Sequence, residues 1–192
     1  MQLILASASP RRRELLTQLG LTFTVQPPDL DETPKYNESP RSYVERLAQE
    51  KALAIAVKSP GNVALAADTS VVVEGIILGK PGDDPKAGRT MLKRLSGKSH
   101  AVMTGIAVAK GSDVRSRVVE TEVRFRTLSE AEIAWYVGTG EGRDKAGGYA
   151  SQGRAGAFII SLSGSSTSVI GLPLAETVEL LHDAGFKLPW ST

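Results

Sequence analysis

Ser7, Ser9 and three consecutive arginines, Arg11, Arg12 and Arg13, follow directly on the apolar run 3–6. A strand that turns through small serines into a helix start exposes unpaired backbone N–H groups and the positive end of the helix dipole. Ser9 is placed as an N-cap, Pro10 fits the first helical position, and guanidinium groups offer paired donors to phosphate oxygens. Helix starts ordinarily favour Asp and Glu, so three arginines there point to an external anion, with solvated surface charge as the plain alternative. A second grouping, Ala66-Ala67-Asp68-Thr69-Ser70, sets an acid between 63–67 and 71–73, two stretches expected to be buried strands. A buried carboxylate is costly unless paired or metal-bound, which makes Asp68 the leading catalytic candidate; the alternative is a turn-capping Asp.

Other side chains could join these. Lys80, in Gly79-Lys80-Pro81, ends a strand and could reach a phosphate, although the spacing from Gly75 and the proline at 81 exclude a P-loop. Asp29, Asp31 and Glu32 lie in the Pro- and acid-rich stretch 26–40, and Lys51 stands on the helix that follows. Magnesium needs only one or two protein carboxylates beside substrate phosphate oxygens, so such scattered acids suffice, though an acidic loop is often only solvated. In the segment 144–153, small residues allow close approach to a ligand; Lys145 could meet phosphate, Tyr149 could pack, and Gln152 offers donors and acceptors to a base edge. His100 and His182 lack metal-ligand spacing and are read as structural. Gly164-Ser165-Ser166 lacks the closing glycine of a nucleophile elbow, and Gly138-Thr139-Gly140-Glu141-Gly142 follows a helix rather than a strand, so neither is read as a motif.

Helical and extended segments alternate around these residues. The first helix carries Leu15, Leu16 and Leu19 on one side and stops at Gly20, and 23–25 reads as extended. Ser39-Pro40 opens a helix with Val44, Leu47, Ala48, Ala52 and Ile55 in helical repeat, leaving Arg46, Gln49 and Lys58 off that stripe. Strands are expected at 63–67, 71–73 and 76–78, the last two joined by Glu74-Gly75, and Asp84-Pro85 caps a helix that ends at Gly97. Val119, Thr121, Val123 and Phe125 alternate with charged residues, a half-buried strand whose partner is 101–109. Ser129 and Glu132 form a capping box for a helix ending near Gly138. The stretches 158–162 and 169–170 read as extended, and 174–184 as a final helix.

A chain of 192 residues fits one domain, 1–192, with a continuous core. Hydrophobic residues at 41% and charged residues at 23% exclude a disordered chain, and a net charge of +2 with 5% aromatics argues against nucleic-acid binding. The absence of cysteine removes disulfides, thiolate metal sites and thiol nucleophiles. No apolar run approaches the ~18 residues of a membrane span, so a cytoplasmic protein without membrane partners is expected.

Six blocks, in order, make the chain resemble the Maf family of nucleoside triphosphate pyrophosphatases. They are Ser7-Ala8-Ser9-Pro10-Arg11-Arg12-Arg13-Glu14-Leu15-Leu16; Tyr43-Val44-Glu45-Arg46-Leu47-Ala48 with Lys51; Ala67-Asp68-Thr69 with Gly79-Lys80-Pro81; Leu95-Ser96-Gly97 with Thr104-Gly105; Asp144-Lys145-Ala146-Gly147 with Tyr149 and Gln152-Gly153; and Val169-Ile170-Gly171-Leu172-Pro173-Leu174. The resemblance implies an α/β fold, a mixed sheet flanked by helices with two lobes around a cleft, similar to the inosine triphosphate pyrophosphatase (Maf/Ham1) fold. It implies a divalent cation (magnesium, with manganese or cobalt as alternatives), a homodimer, and hydrolysis of a nucleoside triphosphate substrate to monophosphate and pyrophosphate. Carried over by position, Asp68 is similar to the general base and metal ligand, Glu32 to a metal or water ligand, and Ser7, Arg12, Arg13, Lys51 and Lys80 to triphosphate contacts. Arg11, Thr69 and Gln152 resemble the branch acting on dTTP and UTP; the branch favouring 7-methyl-GTP has an aromatic residue, Gln and Glu there. Ala150-Ser151 and Ser165-Ser166-Thr167 depart from the family pattern. The family is also associated with cell-division arrest, so regulation through partner binding with incidental catalysis is the alternative reading.

Overall fold

The computed structural model describes residues 1–191. Among them, strands β1 (Leu3–Leu5), β2 (Phe23–Val25), β3 (Val63–Val73), β4 (Ile76–Leu78), β5 (Ser99–Lys110), β6 (Asp113–Phe125) and β7 (Ile159–Ser163) form one sheet. Its order is β2-β1-β3-β5-β6-β7, with β4 paired to β3. β1 runs parallel to β2 and β3, whereas β3 with β4 and β6 with β7 are antiparallel, so the sheet is mixed, as expected. The helices are α1 (Pro10–Gln18), α2 (Pro40–Ala56), α3 (Pro85–Leu95), α4 (Glu130–Gly138), α5 (Ser166–Ile170) and α6 (Leu174–Asp183). The chain divides into two compact units: Met1–Asp68 with Thr104–Val119 and the stretch from Gly171 onward, and Thr69–Met103 with Glu120–Ile170.

In the first unit, β1 is buried throughout, as a strand with parallel neighbours on both sides must be. The apolar stripe of α2 packs Ala48, Ala52 and Ile55 with Ile4, Ala64, Ala66, Ala107 and Ala109, a core of small side chains that lets helix and sheet approach closely. Gly105 on β5 shows how closely: a Cβ there would stand 2.3 Å from the Val44 carbonyl oxygen of α2. α1 stops where its glycine signal lies. Gly20, at φ 70°, donates to Thr17 O (2.9 Å), and Leu21 donates to Leu16 O (3.3 Å), the paired bonds of a Schellman ending.

In the second unit, Phe125, Tyr136, Tyr149, Phe158 and His100 form edge-to-face pairs around the core. The capping box of α4 forms as the sequence indicates, with Ser129 Oγ accepting from Glu132 N–H and the Glu132 carboxylate accepting from Ser129 N–H. Glu74 (φ 52°) and Gly75 (φ 75°) turn β3 into β4 through two left-handed residues, the geometry that matches strand twist in a two-residue hairpin.

Two expectations are corrected. β3 is one strand of 11 residues, not two strands flanking Asp68, because the Asp68 charge is neutralised by a neighbouring side chain and need not break the ladder. Val169 and Ile170 are helical in α5. Ser165 Oγ accepts from Ser168 N–H (3.2 Å) and Ser165 O from Val169 N–H (3.3 Å), so local serine capping overrides the extended preference of a β-branched pair.

The close approach at residue 105 generates a prediction. Gly105→Ala should lower stability by about 1–3 kcal/mol, the usual cost of overpacking. Denaturant unfolding reads this directly, and an unchanged midpoint would contradict the packing described.

Candidate active site

The start of α1 is built differently from a simple cap. Ser9 sits at the N-cap with extended backbone, but its side chain makes no capping bond; its N–H donates instead to Ser7 Oγ (3.2 Å). The buried Ser7 hydroxyl also accepts from Arg12 Nη1 (3.1 Å), while Arg12 Nε donates to the Gly171 carbonyl (2.8 Å). Two fixed acceptors therefore set the plane of the Arg12 guanidinium. Burial pulls the Arg12 pKa down and Arg11 adds to this, while the charges of Asp68 and Glu32 oppose it. Arg11 is half-buried and Arg13 exposed.

Three further candidates meet at one ammonium group. Lys51 Nζ lies 2.8 Å from Asp68 Oδ1 and 2.7 Å from Glu32 Oε1. Lys51 falls on the apolar stripe of α2, one turn after Leu47 and one before Ile55, and is buried with it. Its side chain is 10% exposed and that of Asp68 12%, whereas Glu32 is 50% exposed. An ammonium held among apolar residues is tolerable because two carboxylates meet it, and Asp68 is tolerable within a buried strand for the reciprocal reason.

Glu32 comes from residues 26–39, which contain no helix or strand but are tied down. Tyr43 OH donates to the Glu32 carbonyl (2.9 Å). Arg46 grips both oxygens of Glu38 (2.6 and 2.7 Å), pairs with Glu50 (3.0 Å) and donates to Thr33 O (3.3 Å), with its guanidinium over the Tyr43 ring. Asp31 accepts from the Thr33 N–H and hydroxyl, closing a local turn. The hydrogen bonds from Arg46 hold the Glu38 carboxyl down at about 2, against the opposing effect of burial. Burial pushes the Tyr43 pKa up, as do the charges of Asp68 and Glu32.

Among the described residues, no group of three or more His, Cys, Asp or Glu could hold a metal. The carboxylates of Glu32 and Asp68, converging on Lys51, are the hard oxygen donors that a divalent cation such as magnesium takes. They fit such an ion as a two-carboxylate site whose other ligands come from elsewhere.

The remaining candidates lie in the second unit. Thr69 follows Asp68 on β3 and so faces the opposite side of the strand. Lys80 is exposed, next to Gly79, whose carbonyl accepts from Gly147 N–H (3.0 Å). Lys145 pairs with Asp144. Gln152 is exposed in a turn closed by Gly153 N–H to Ala150 O (3.1 Å), and Tyr149 is buried with its hydroxyl 2.8 Å from His100 Nε2. Burial pushes the His100 pKa down to about 4, consistent with a neutral structural histidine.

Gly171, Tyr43, Arg46 and Glu38 support the site without having a role assigned to them from the sequence. Gly171 acts through a carbonyl and leaves no side-chain signal. Tyr43, Arg46 and Glu50 do leave one, recurring at helical spacing as a polar line beside the apolar stripe of α2.

With this geometry in place, the profile of the Maf-like protein family matches residues 2–184. The chain belongs to that family. The dTTP/UTP pyrophosphatase of Anaeromyxobacter dehalogenans (strain 2CP-C) is 55% identical to it over 193 residues, covering 98% of this chain and 97% of that one. The dTTP/UTP pyrophosphatase of Myxococcus xanthus (strain DK1622) is 53% identical, covering 98% and 95% respectively. Among solved structures, that of the Staphylococcus aureus Ham1 protein aligns at 14% identity over 65% of this chain and 72% of that chain, with a TM-score of 0.48.

The Arg46–Glu38 pair generates a pH prediction. A carboxyl depressed from 4.5 to about 2 stabilises the fold fully above the unfolded value, and that stability is lost as pH falls through the folded one. Wild-type protein should therefore lose more stability than Glu38→Gln between these two pH values. Parallel stability curves for the two proteins would contradict the assigned anchoring.

Proposed function

We propose that this protein hydrolyses dTTP and UTP between the α- and β-phosphates, giving the nucleoside monophosphate and pyrophosphate. The observation that carries this reading is the buried pair of Lys51 with Asp68 of the Ala-Asp-Thr block, within electrostatic reach of the fixed guanidinium of Arg12. The names of the two relatives, each more than half identical in sequence, support the substrates. Asp68 is the general base: it orients water toward the α-phosphorus and takes its proton as the bond from the α-phosphorus to the pyrophosphate oxygen breaks. Ser7, Arg12, Arg13, Lys51 and Lys80 contact the phosphates, where charge-assisted bonds both position the chain of phosphates and stabilise charge in the transition state. Glu32 and Asp68 would hold a divalent cation, which when bound neutralises phosphoryl oxygens.

Arg11, Thr69 and Gln152 select the base. A carboxamide presents both a donor and an acceptor, matching the N–H and carbonyl edge shared by thymine and uracil. A site that hydrogen-bonds its substrate also rejects analogues that leave its polar groups unpaired. We read residues 1–192 as a single domain that works as a cytoplasmic homodimer and removes unwanted or modified pyrimidine triphosphates. Among the described residues, no helix is long and apolar enough to cross a membrane.

Pyrophosphate release from dTTP, UTP, ATP and GTP at subsaturating concentration, with and without magnesium, tests the reading. Magnesium-dependent preference for dTTP and UTP is expected, and Asp68→Asn should lower turnover by ~10²–10⁴-fold, the usual contribution of a positioned base. Equal use of all four triphosphates would remove the specificity assignment. Wild-type turnover by folded Asp68→Asn would remove the catalytic one.

A further inference from the structure

The proposed role of Gln152 raises the question of what holds its exposed turn still. Recognition by a carboxamide requires a defined position, because a donor or acceptor displaced by about an ångström no longer discriminates. Both ends of the turn lead to one carboxylate. On the entering side, Ala150 N–H donates to Tyr136 OH (3.0 Å), and the Glu141 carboxylate acts on that hydroxyl, helping burial to push its pKa up. On the leaving side, Arg154 N–H reaches both Glu141 oxygens (3.1 and 3.0 Å). Arg154 and Ala155 open the short 3₁₀ helix Arg154–Phe158, whose first N–H groups have no partner inside it.

The glycines around Glu141 make this arrangement possible. A Cβ on Gly153 would lie 2.5 Å from Glu141 Oε1, and one on Gly142 would lie 2.0 Å from the Gly148 carbonyl. The cluster Gly140-Glu141-Gly142 is thus a base for the 149–154 segment rather than a phosphate loop. Burial pushes the Glu141 carboxyl up, but the hydrogen bonds from Arg154, Tyr136 and Ala155 outweigh it and hold the group below its ordinary value.

We infer that Glu141, acting through Tyr136 and the Arg154 N–H, is a positioning residue for Gln152 and so for selection of the base, an inference that rests on the base-recognition role proposed for Gln152.

The test compares kcat/KM for dTTP and GTP in wild type, Gln152→Ala, Glu141→Gln and Gly153→Ala, with saturating kcat measured beside them. Gln152→Ala should lower the dTTP-to-GTP ratio by roughly tenfold or more, the scale of a lost recognition bond. Glu141→Gln and Gly153→Ala should lower the same ratio by roughly threefold to tenfold, through a raised KM for dTTP with GTP little changed. If Gln152→Ala lowers the ratio while both other variants keep it, the positioning role is wrong and the base-recognition reading stands. If Gln152→Ala itself keeps the ratio, base recognition fails and the positioning role fails with it. Equal losses on both substrates in Glu141→Gln would show a general structural role and overturn the inference. Should the variants not fold, amide hydrogen exchange in the wild-type protein decides: Ala150 and Arg154 are expected to exchange slowly, and fast exchange at either would overturn it.

Discussion

The ammonium group of Lys51 is the charge on which the acidic cluster of the first unit depends. It is buried on the apolar stripe of α2 and reaches one oxygen each from Asp68 and Glu32. Stripping a single ion from water costs several kcal/mol, and each carboxylate held against the ammonium offsets part of that cost. Two carboxylates therefore meet the lysine at the point proposed to receive a divalent cation. Three separate pieces of chain must meet for this: α2 supplies the lysine, β3 the aspartate and residues 26–39 the glutamate. Without the lysine, a carboxylate in the interior of an 11-residue buried strand would lose the cation it touches at 2.8 Å.

The same unit solves two positioning problems by different means. Arg12 is held by fixed acceptors, the buried Ser7 hydroxyl and the Gly171 carbonyl, so an arginine at a helix start, where the dipole disfavours it, is oriented before any anion arrives. Glu32 lies on irregular backbone and depends on side chains of α2. Arg46 grips Glu38 and Thr33, and Tyr43 takes the Glu32 carbonyl. The helix that places Lys51 thus also places the loop that meets it.

What could be read from the sequence follows from the range of the forces involved. The capping box of α4, the Glu74-Gly75 turn and the stop at Gly20 are set by neighbours a few residues apart, and their residues announce them. The helical repeat of Val44, Leu47, Ala48, Ala52 and Ile55 likewise marks the buried face of α2. Asp68 is identifiable as costly, but its place inside a continuous strand is not, because the neutralising charge comes from 17 residues away. The Arg12 link to Gly171 spans 159 residues and ends on a backbone oxygen, beyond any local pattern. Val169 and Ile170 mislead for the opposite reason: their side chains favour extension, while Ser165 just before them caps a helix.

In the proposed reaction, water oriented by Asp68 attacks the α-phosphorus of the nucleotide. Hydrolysis of dTTP in water enriched in oxygen-18, followed by mass analysis of both products, tests it most directly. Attack at the α-phosphorus puts one heavy oxygen in the phosphate of dTMP and leaves pyrophosphate unlabelled. Label in the pyrophosphate, or dTDP with labelled inorganic phosphate, would contradict it.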